Sequence, residues 1–279
     1  MTFFLKQLFL ASLILFPFSG AATQRQEAET YKFGVFPYFS PNTINEIYFP
    51  VSQELTRILA KKVSLKTEKN HREFLRSLNN ELYDIALIPP FWYPAAVDKH
   101  NYLPIVKMQE PFTSKVMVLE SSNIYSINDL HGKVIATPPV SSPVVNLAIK
   151  SLTEIGIVPG RDLIFRANET AEECLRKVFI KKVSACISPP YAPLHFEKEF
   201  NIKLRSVHSS SGIPSAALLI HSRIDPVVRN IIRDSFISWK DTYEGRSMLN
   251  KMHTKAYVPI NPNEYDIVRK YLKHSKAYH

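Results

Sequence analysis

The sequence predicts an α/β protein of two lobes with a ligand cleft between them, in which mostly parallel sheets are flanked by helices. Three observations predict it. A β-α-β-α-β pattern occupies residues 31–88, and a second follows over residues 115–207. In both units a strand is stopped by two adjacent prolines, Pro89-Pro90 and Pro189-Pro190. A further strand and several helices then return after residue 214.

Taken in order, residues 31–36 read as a strand, and 37–45 as an aromatic loop rich in turn formers. Pro50 is expected to start a helix whose apolar face carries Val51, Leu55, Ile58 and Leu59. Residues 63–67 alternate as a strand, 73–82 form a short helix, and 85–88 are a continuous apolar run of the fully buried strand type. In the second unit, strands are expected at 115–119, 133–137, 163–167, 184–187 and 202–207. Helices are expected at 144–155, closed by Gly156, and at 169–180 and 193–200. A strand at 215–221 and an amphipathic helix at 226–239 follow, then helical patterns near 246–252 and 264–272.

The first 22 residues have the order of a secretion signal. Lys6 precedes an apolar centre at residues 8–18, which closes on Ser19, Gly20, Ala21 and Ala22. That run is too short for a span of roughly 20 residues, so cleavage after Ala21 or Ala22 is expected, with a periplasmic product. No cysteine lies near the cleavage point, which speaks against a lipid anchor. Removing 22 of 279 residues leaves about 257, enough for two modest domains.

The net charge of +10 becomes +9 when Lys6 leaves. The basic residues are scattered among acidic ones, so the charge reads mainly as solvated surface, and no motif supports nucleic-acid binding. Cys174 and Cys186 are spaced too far apart for a CxxC pair. An exported chain can bridge them, but both also suit buried small apolar positions on a helix and a strand. The nine histidines form no HExxH or close ligand cluster, no GxSxG elbow occurs, and the seven glycines make no phosphate loop. No metal, cofactor or catalytic residue is therefore expected. Asp84 and Asp129 read as strand-start and turn residues.

Parallel strands place ligands beyond their carboxyl ends. The loops at 37–45, 89–93, 138–143 and 188–191 answer that rule. Their candidate binding residues are Tyr38, Phe39, Trp92, Tyr93 and Tyr191 as apolar wall, with Ser141 and Ser142 before a helix, where they serve as caps, as anion ligands or as both. Thr113 and Ser114 add hydroxyls near the crossing between lobes.

Over residues 32–250 the chain resembles the substrate-binding proteins of phosphate, phosphite and phosphonate ABC importers, of the type II periplasmic-binding-protein class. The resemblance is carried by GVFP at 34–37, FP at 49–50, LYDIA at 82–86 and SINDLHGKVIA at 126–136. LTEIGI at 152–157, SGIP at 211–214 and RIDP at 223–226 add to it. It implies lobe one at 31–112 with 210–279, and lobe two at 113–209. It also implies capture of a small anionic or zwitterionic solute, such as an organic phosphonate or phosphate ester, for the permease of an ABC importer. The alternatives are a sensory protein that passes occupancy to a membrane kinase or receptor, and, ranked last, an exported enzyme. Two departures stand out. The serine-threonine-serine-glycine run of phosphonate binders falls on Ser141, Ser142, Pro143 and Val144, and Ser184 takes the place of a family aspartate. The resemblance therefore implies a ligand other than 2-aminoethylphosphonate.

Overall fold

The computed structural model describes residues 30–140 and 142–275. The expected signal segment lies outside them. The chain runs β1 (Tyr31–Val35), α1 (Pro41–Leu59), β2 (Val63–Lys66), α2 (His71–Asn79), β3 (Ile85–Ile88), α3 (Tyr93–Lys99) and β4 (Tyr102–Met108). It crosses to β5 (Lys115–Leu119), β6 (Val134–Thr137), α4 (Pro143–Glu154), β7 (Ile164–Ala167), α5 (Ala171–Phe179), β8 (Ala185–Ser188), α6 (Tyr191–Phe200) and β9 (Leu204–Ser209). It returns through β10 (Ala217–His221), α7 (Pro226–Ser238), α8 (Tyr243–Lys251), β11 (Tyr257–Pro259) and α9 (Asp266–Ser275).

Two sheets result, ordered β11-β4-β10-β3-β1-β2 and β7-β6-β8-β5-β9. They are mixed rather than mostly parallel. β1 lies parallel to β2 and β3, and β6 to β7 and β8. The strands that carry the chain between the sheets, with β11, run antiparallel to their neighbours. β4 was not expected, because Pro104 interrupts its apolar run. The structure seats Pro104 at a register shift against Leu218 and Leu219, where a missing N–H breaks no regular ladder.

α1 begins at Pro41, not Pro50. The Ser40 hydroxyl accepts from the Thr43 amide (3.3 Å), and Pro50 sits inside the helix. An internal proline costs about 3 kcal/mol. Burial of Ile44, Tyr48, Val51 and Leu55 along one face offsets it. α2 and α5 are each capped at the start, by Asn70 accepting from Glu73 and Thr170 accepting from Glu173. Among the described residues no helix is long and apolar enough to cross a membrane.

Alternation along the strands of the second sheet gives it two faces. Val116, Val118, Ile135 and Ile187 join the main core with Val144, Val145, Leu147 and Ala148 of α4. Met117, Ala136 and Cys186 form a separate cluster with α5 and α6. There Cys174 and Cys186 are joined as a disulfide, tying α5 to β8.

Asp84 and Asp129 hold backbone together. Asp84 accepts from the Lys32 amide (2.8 Å) and from Arg223 Nε (2.8 Å), and Asp129 accepts from the amides of Tyr125 and Ser126 (2.8 Å each). The two crossings pair with each other. Phe112 and Ile213 exchange backbone hydrogen bonds (2.9 and 3.0 Å). The Ser114 amide donates to Ser210 Oγ and the Ser210 amide to Ser114 O, both at 2.9 Å.

Candidate functional site

The end of the second sheet nearest the crossings is built from hydroxyls. β6 ends at Thr137, immediately before Pro138 and Pro139, and Ser142 opens α4. Thr137 and Ile135 share a face by alternation, so Thr137 lies on the α4 side of the sheet. Carried one step before β5, the same alternation puts Ser114 on that side with Val116 and Val118. Thr137 is wholly buried and Ser114 nearly so, and the hydroxyl oxygens of Thr137, Ser114 and Ser142 are all buried without a protein partner. An unmet buried hydroxyl costs about 1–3 kcal/mol, so each calls for an explanation in a settled interior.

Neighbouring groups fix the backbone beneath them. Asn168 donates to the Thr137 carbonyl from its amide (2.8 Å) and its side chain (3.0 Å), while Lys177 donates to Asn168 Oδ1. Ser142 O accepts from the amides of Val145 (3.1 Å) and Asn146 (3.2 Å), yet its hydroxyl makes no capping bond. That hydroxyl is thus not spent on helix capping. Pro143 carries no N–H, so the Val144 amide is the first at the positive end of the helix dipole. Ser141 lies outside the described residues. Ser184 precedes β8, whose other end, Ser188, is the one beside Thr137 and Ser114, so its difference from the family aspartate lies away from these hydroxyls.

An aromatic cluster joins the loop after β1 to α6 of the second sheet. The Tyr38 ring meets Tyr191 edge-on at 4.8 Å, and Phe39 reaches Tyr191 (5.7 Å) and His195 (4.7 Å) on α6. Tyr38 also stacks on Phe36 (4.7 Å) and shares a hydrogen bond with the Tyr48 hydroxyl (2.9 Å). Burial holds the Tyr38 and Tyr191 phenols well above the usual tyrosine range, so both stay neutral O–H groups at ordinary pH. Trp92 extends this cluster through Phe36 (6.3 Å), and its own face is stacked on Phe74 (5.7 Å).

The remaining expected residues are placed differently. Tyr93 stacks face to face on Tyr265 (3.7 Å), packed among the helices of the first sheet rather than in the ring cluster of Tyr38 and Tyr191. Burial pushes its phenol up to about 12. Thr113 is half-buried at the crossing, beside Gly212. Sequence reasoning missed Thr137, Phe36, Tyr48 and His195. A polar residue closing an apolar strand before Pro138-Pro139 was the signal for Thr137. The other three are visible only through tertiary packing. Among the described residues no group of three or more His, Cys, Asp or Glu side chains is placed to hold a metal.

The fold recurs in solved structures of low sequence identity. A binding-protein component of an ABC phosphonate transporter from Pseudomonas aeruginosa superposes with TM-score 0.72 at 14% identity, over 88% of this chain and 86% of that one. PhnD1 from Prochlorococcus marinus, in complex with methylphosphonate, gives 0.73 at 12% identity, over 88% and 98%. The aliphatic sulphonate binding protein SsuA from Escherichia coli gives 0.63 at 15% identity, over 90% and 87%. No curated protein sequence matches the chain. A family model described as "ABC transporter, phosphonate, periplasmic substrate-binding protein" matches residues 33–265, and the chain belongs to that family of binding proteins.

Proposed function

We propose that the chain captures a small organic oxyanion between its lobes and delivers it to the permease of an ABC importer. We also place the lobe boundaries at 112/113 and 209/210, and a cleaved secretion signal at residues 1–22. The observation that carries the ligand reading is the set of buried, unpartnered hydroxyls of Ser114 before β5, Thr137 at the end of β6 and Ser142 at the N-terminus of α4. A helix N-terminus favours negative charge, and hydroxyls supply the donors that Pro143 withholds. The aromatic wall of Tyr38, Phe39, Trp92 and Tyr191 suits an organic substituent, and a bare phosphate would leave that surface wet. Organic phosphonates, phosphate esters and related organic anions therefore rank above inorganic phosphate. That solved phosphonate and sulphonate binders share the fold supports the class of ligand.

A thermal-shift screen of the mature chain tests this reading. Organic anions are expected to raise its melting temperature, and the Ser141→Ala, Ser142→Ala double variant is expected to lose that response while melting near wild type without ligand. Strong stabilisation by a neutral compound, equal in the variant, would sink the proposal.

A further inference from the structure

We propose that Thr137 is a ligand-binding residue and that the oxyanion is held by hydroxyl and amide groups alone, so that the site accepts sulfonates as well as phosphonates. This rests on the oxyanion reading above and narrows it to a chemical class.

The chemistry turns on which groups can face a ligand oxygen. An ionised carboxylate only accepts, so a carboxylate at the site would require a proton on the ligand. A phosphonate can carry that proton, and a sulfonate carries none. A hydroxyl donates or accepts as it rotates, and makes no such demand. The buried side-chain groups left without a protein partner on the α4 side of the second sheet are hydroxyls, those of Ser114, Thr137 and Ser142, the last of which opens α4. The carboxylates near them are engaged elsewhere. Glu110, before the first crossing, accepts from Thr254 Oγ1 (2.6 Å) and the Lys255 amide (2.9 Å), one with each oxygen. Glu173, at the start of α5, accepts from the Glu169 amide (3.0 Å) and pairs with Lys177 (3.1 Å). Glu172 pairs with Arg176 (3.5 Å), and Glu169 is exposed beyond the edge strand β7. Across the cleft, the Tyr38 hydroxyl shares its hydrogen bond with the Tyr48 hydroxyl (2.9 Å).

Register sets the span of the site. Thr137 continues the β6–β8 pairing to the level of Ile187, which pairs Val116. Ser114 lies two residues farther along β5. Two strand spacings and two residue rises put the Cα atoms of Thr137 and Ser114 on the order of 12 Å apart. Both side chains leave the sheet on the α4 side, so the two hydroxyls are too far apart to satisfy each other, and each is left for a partner from outside the chain.

Calorimetry on the mature chain with matched pairs of probes tests the proposal: methyl-, ethyl- and phenylphosphonate against methane-, ethane- and benzenesulfonate, at pH 6 and pH 8. For each phosphonate that binds, the partner sulfonate is expected to bind within about tenfold, with an affinity that does not change between the two pH values. Thr137→Val keeps the side-chain shape and removes the hydroxyl. It is expected to weaken both members of a pair by about tenfold or more, while the unliganded protein melts no lower than wild type. Phosphonate binding with a sulfonate more than a hundredfold weaker overturns this proposal and leaves the oxyanion reading standing. Unchanged affinities in folded Thr137→Val remove that residue from the site. Binding of none of the six probes overturns both readings.

Discussion

At Asp84 one carboxylate fastens two parts of the first sheet. Its Oδ2 accepts from the Lys32 amide at the start of β1, and its Oδ1 accepts from Arg223 just past β10, whose other nitrogens reach the carbonyls of Glu81 and Tyr83 (2.8 Å each). Asp84→Ala is expected to lower stability by about 2 kcal/mol in urea denaturation, because the charge-assisted bonds to the Lys32 amide and Arg223 are lost. It should leave ligand affinity unchanged, since Asp84 precedes β3 and the site loops follow it. A loss of affinity without loss of stability would contradict that placement. This role was legible in the sequence, because an acid directly before a buried apolar strand has backbone amides to meet. Thr137 was not, because whether a hydroxyl is satisfied depends on neighbours brought from β5 and α4. Tyr93 shows the same limit. Three successive aromatics after Pro89-Pro90 do not tell which of them turns to the cleft and which stacks on Tyr265.

Among the elements, those of the second unit were the most legible. Their Gly, Pro and Asn/Thr boundaries fall where the chain turns, and α4 and α5 lie within about two residues of where periodicity put them. The first unit misled where proline was read as punctuation. Pro50 resembles a helix start and lies in a helix interior, and Pro104 hid β4. Burial on neighbouring residues overrides the first and a register shift accommodates the second, and no local rule weighs either. The bridge between Cys174 and Cys186 belongs to this scale, because it joins one helix to one strand over a separation of 12 residues. A loop of that size restricts the unfolded chain by about 3 kcal/mol. The Cys174→Ala, Cys186→Ala double variant is therefore expected to unfold at lower urea, with a stability loss of about 2–3 kcal/mol. A reductant should have the same effect on wild type and none on the variant. The bridge lies on the α5 side of the sheet and the hydroxyl trio on the α4 side, so ligand affinity in the folded variant should stay within a few-fold of wild type.

For the molecule as a whole, the repeated β-α-β-α-β units made two lobes legible, while the mixed direction of the sheets follows from the crossings. The working motion expected of such a binder is closure of one lobe on the other. The structure shows what can guide it. The two crossing segments are paired through Phe112 and Ile213 and through Ser114 and Ser210, while Tyr38 and Phe39 after β1 meet Tyr191 and His195 of α6. Ser114 has two roles here: its backbone is part of the paired crossings and its hydroxyl is one of the three left unmet. Gly212 lies against the first crossing so closely that an added Cβ would stand 2.6 Å from the Pro111 Cβ. A side chain there must push the two segments apart. Gly212→Val is therefore expected to cost about 1–3 kcal/mol of stability through overpacking. It is also expected to change the angle between lobes. Small-angle scattering of wild type and variant, each saturated with a binding anion, reads the angle as the radius of gyration, and calorimetry reads the affinity. The variant should be more extended and bind more weakly, because rings that no longer meet across the cleft expose a ligand that a closed pair would cover. Equal radii and equal affinities in a destabilised but folded variant would show that the paired crossings bear load without steering closure.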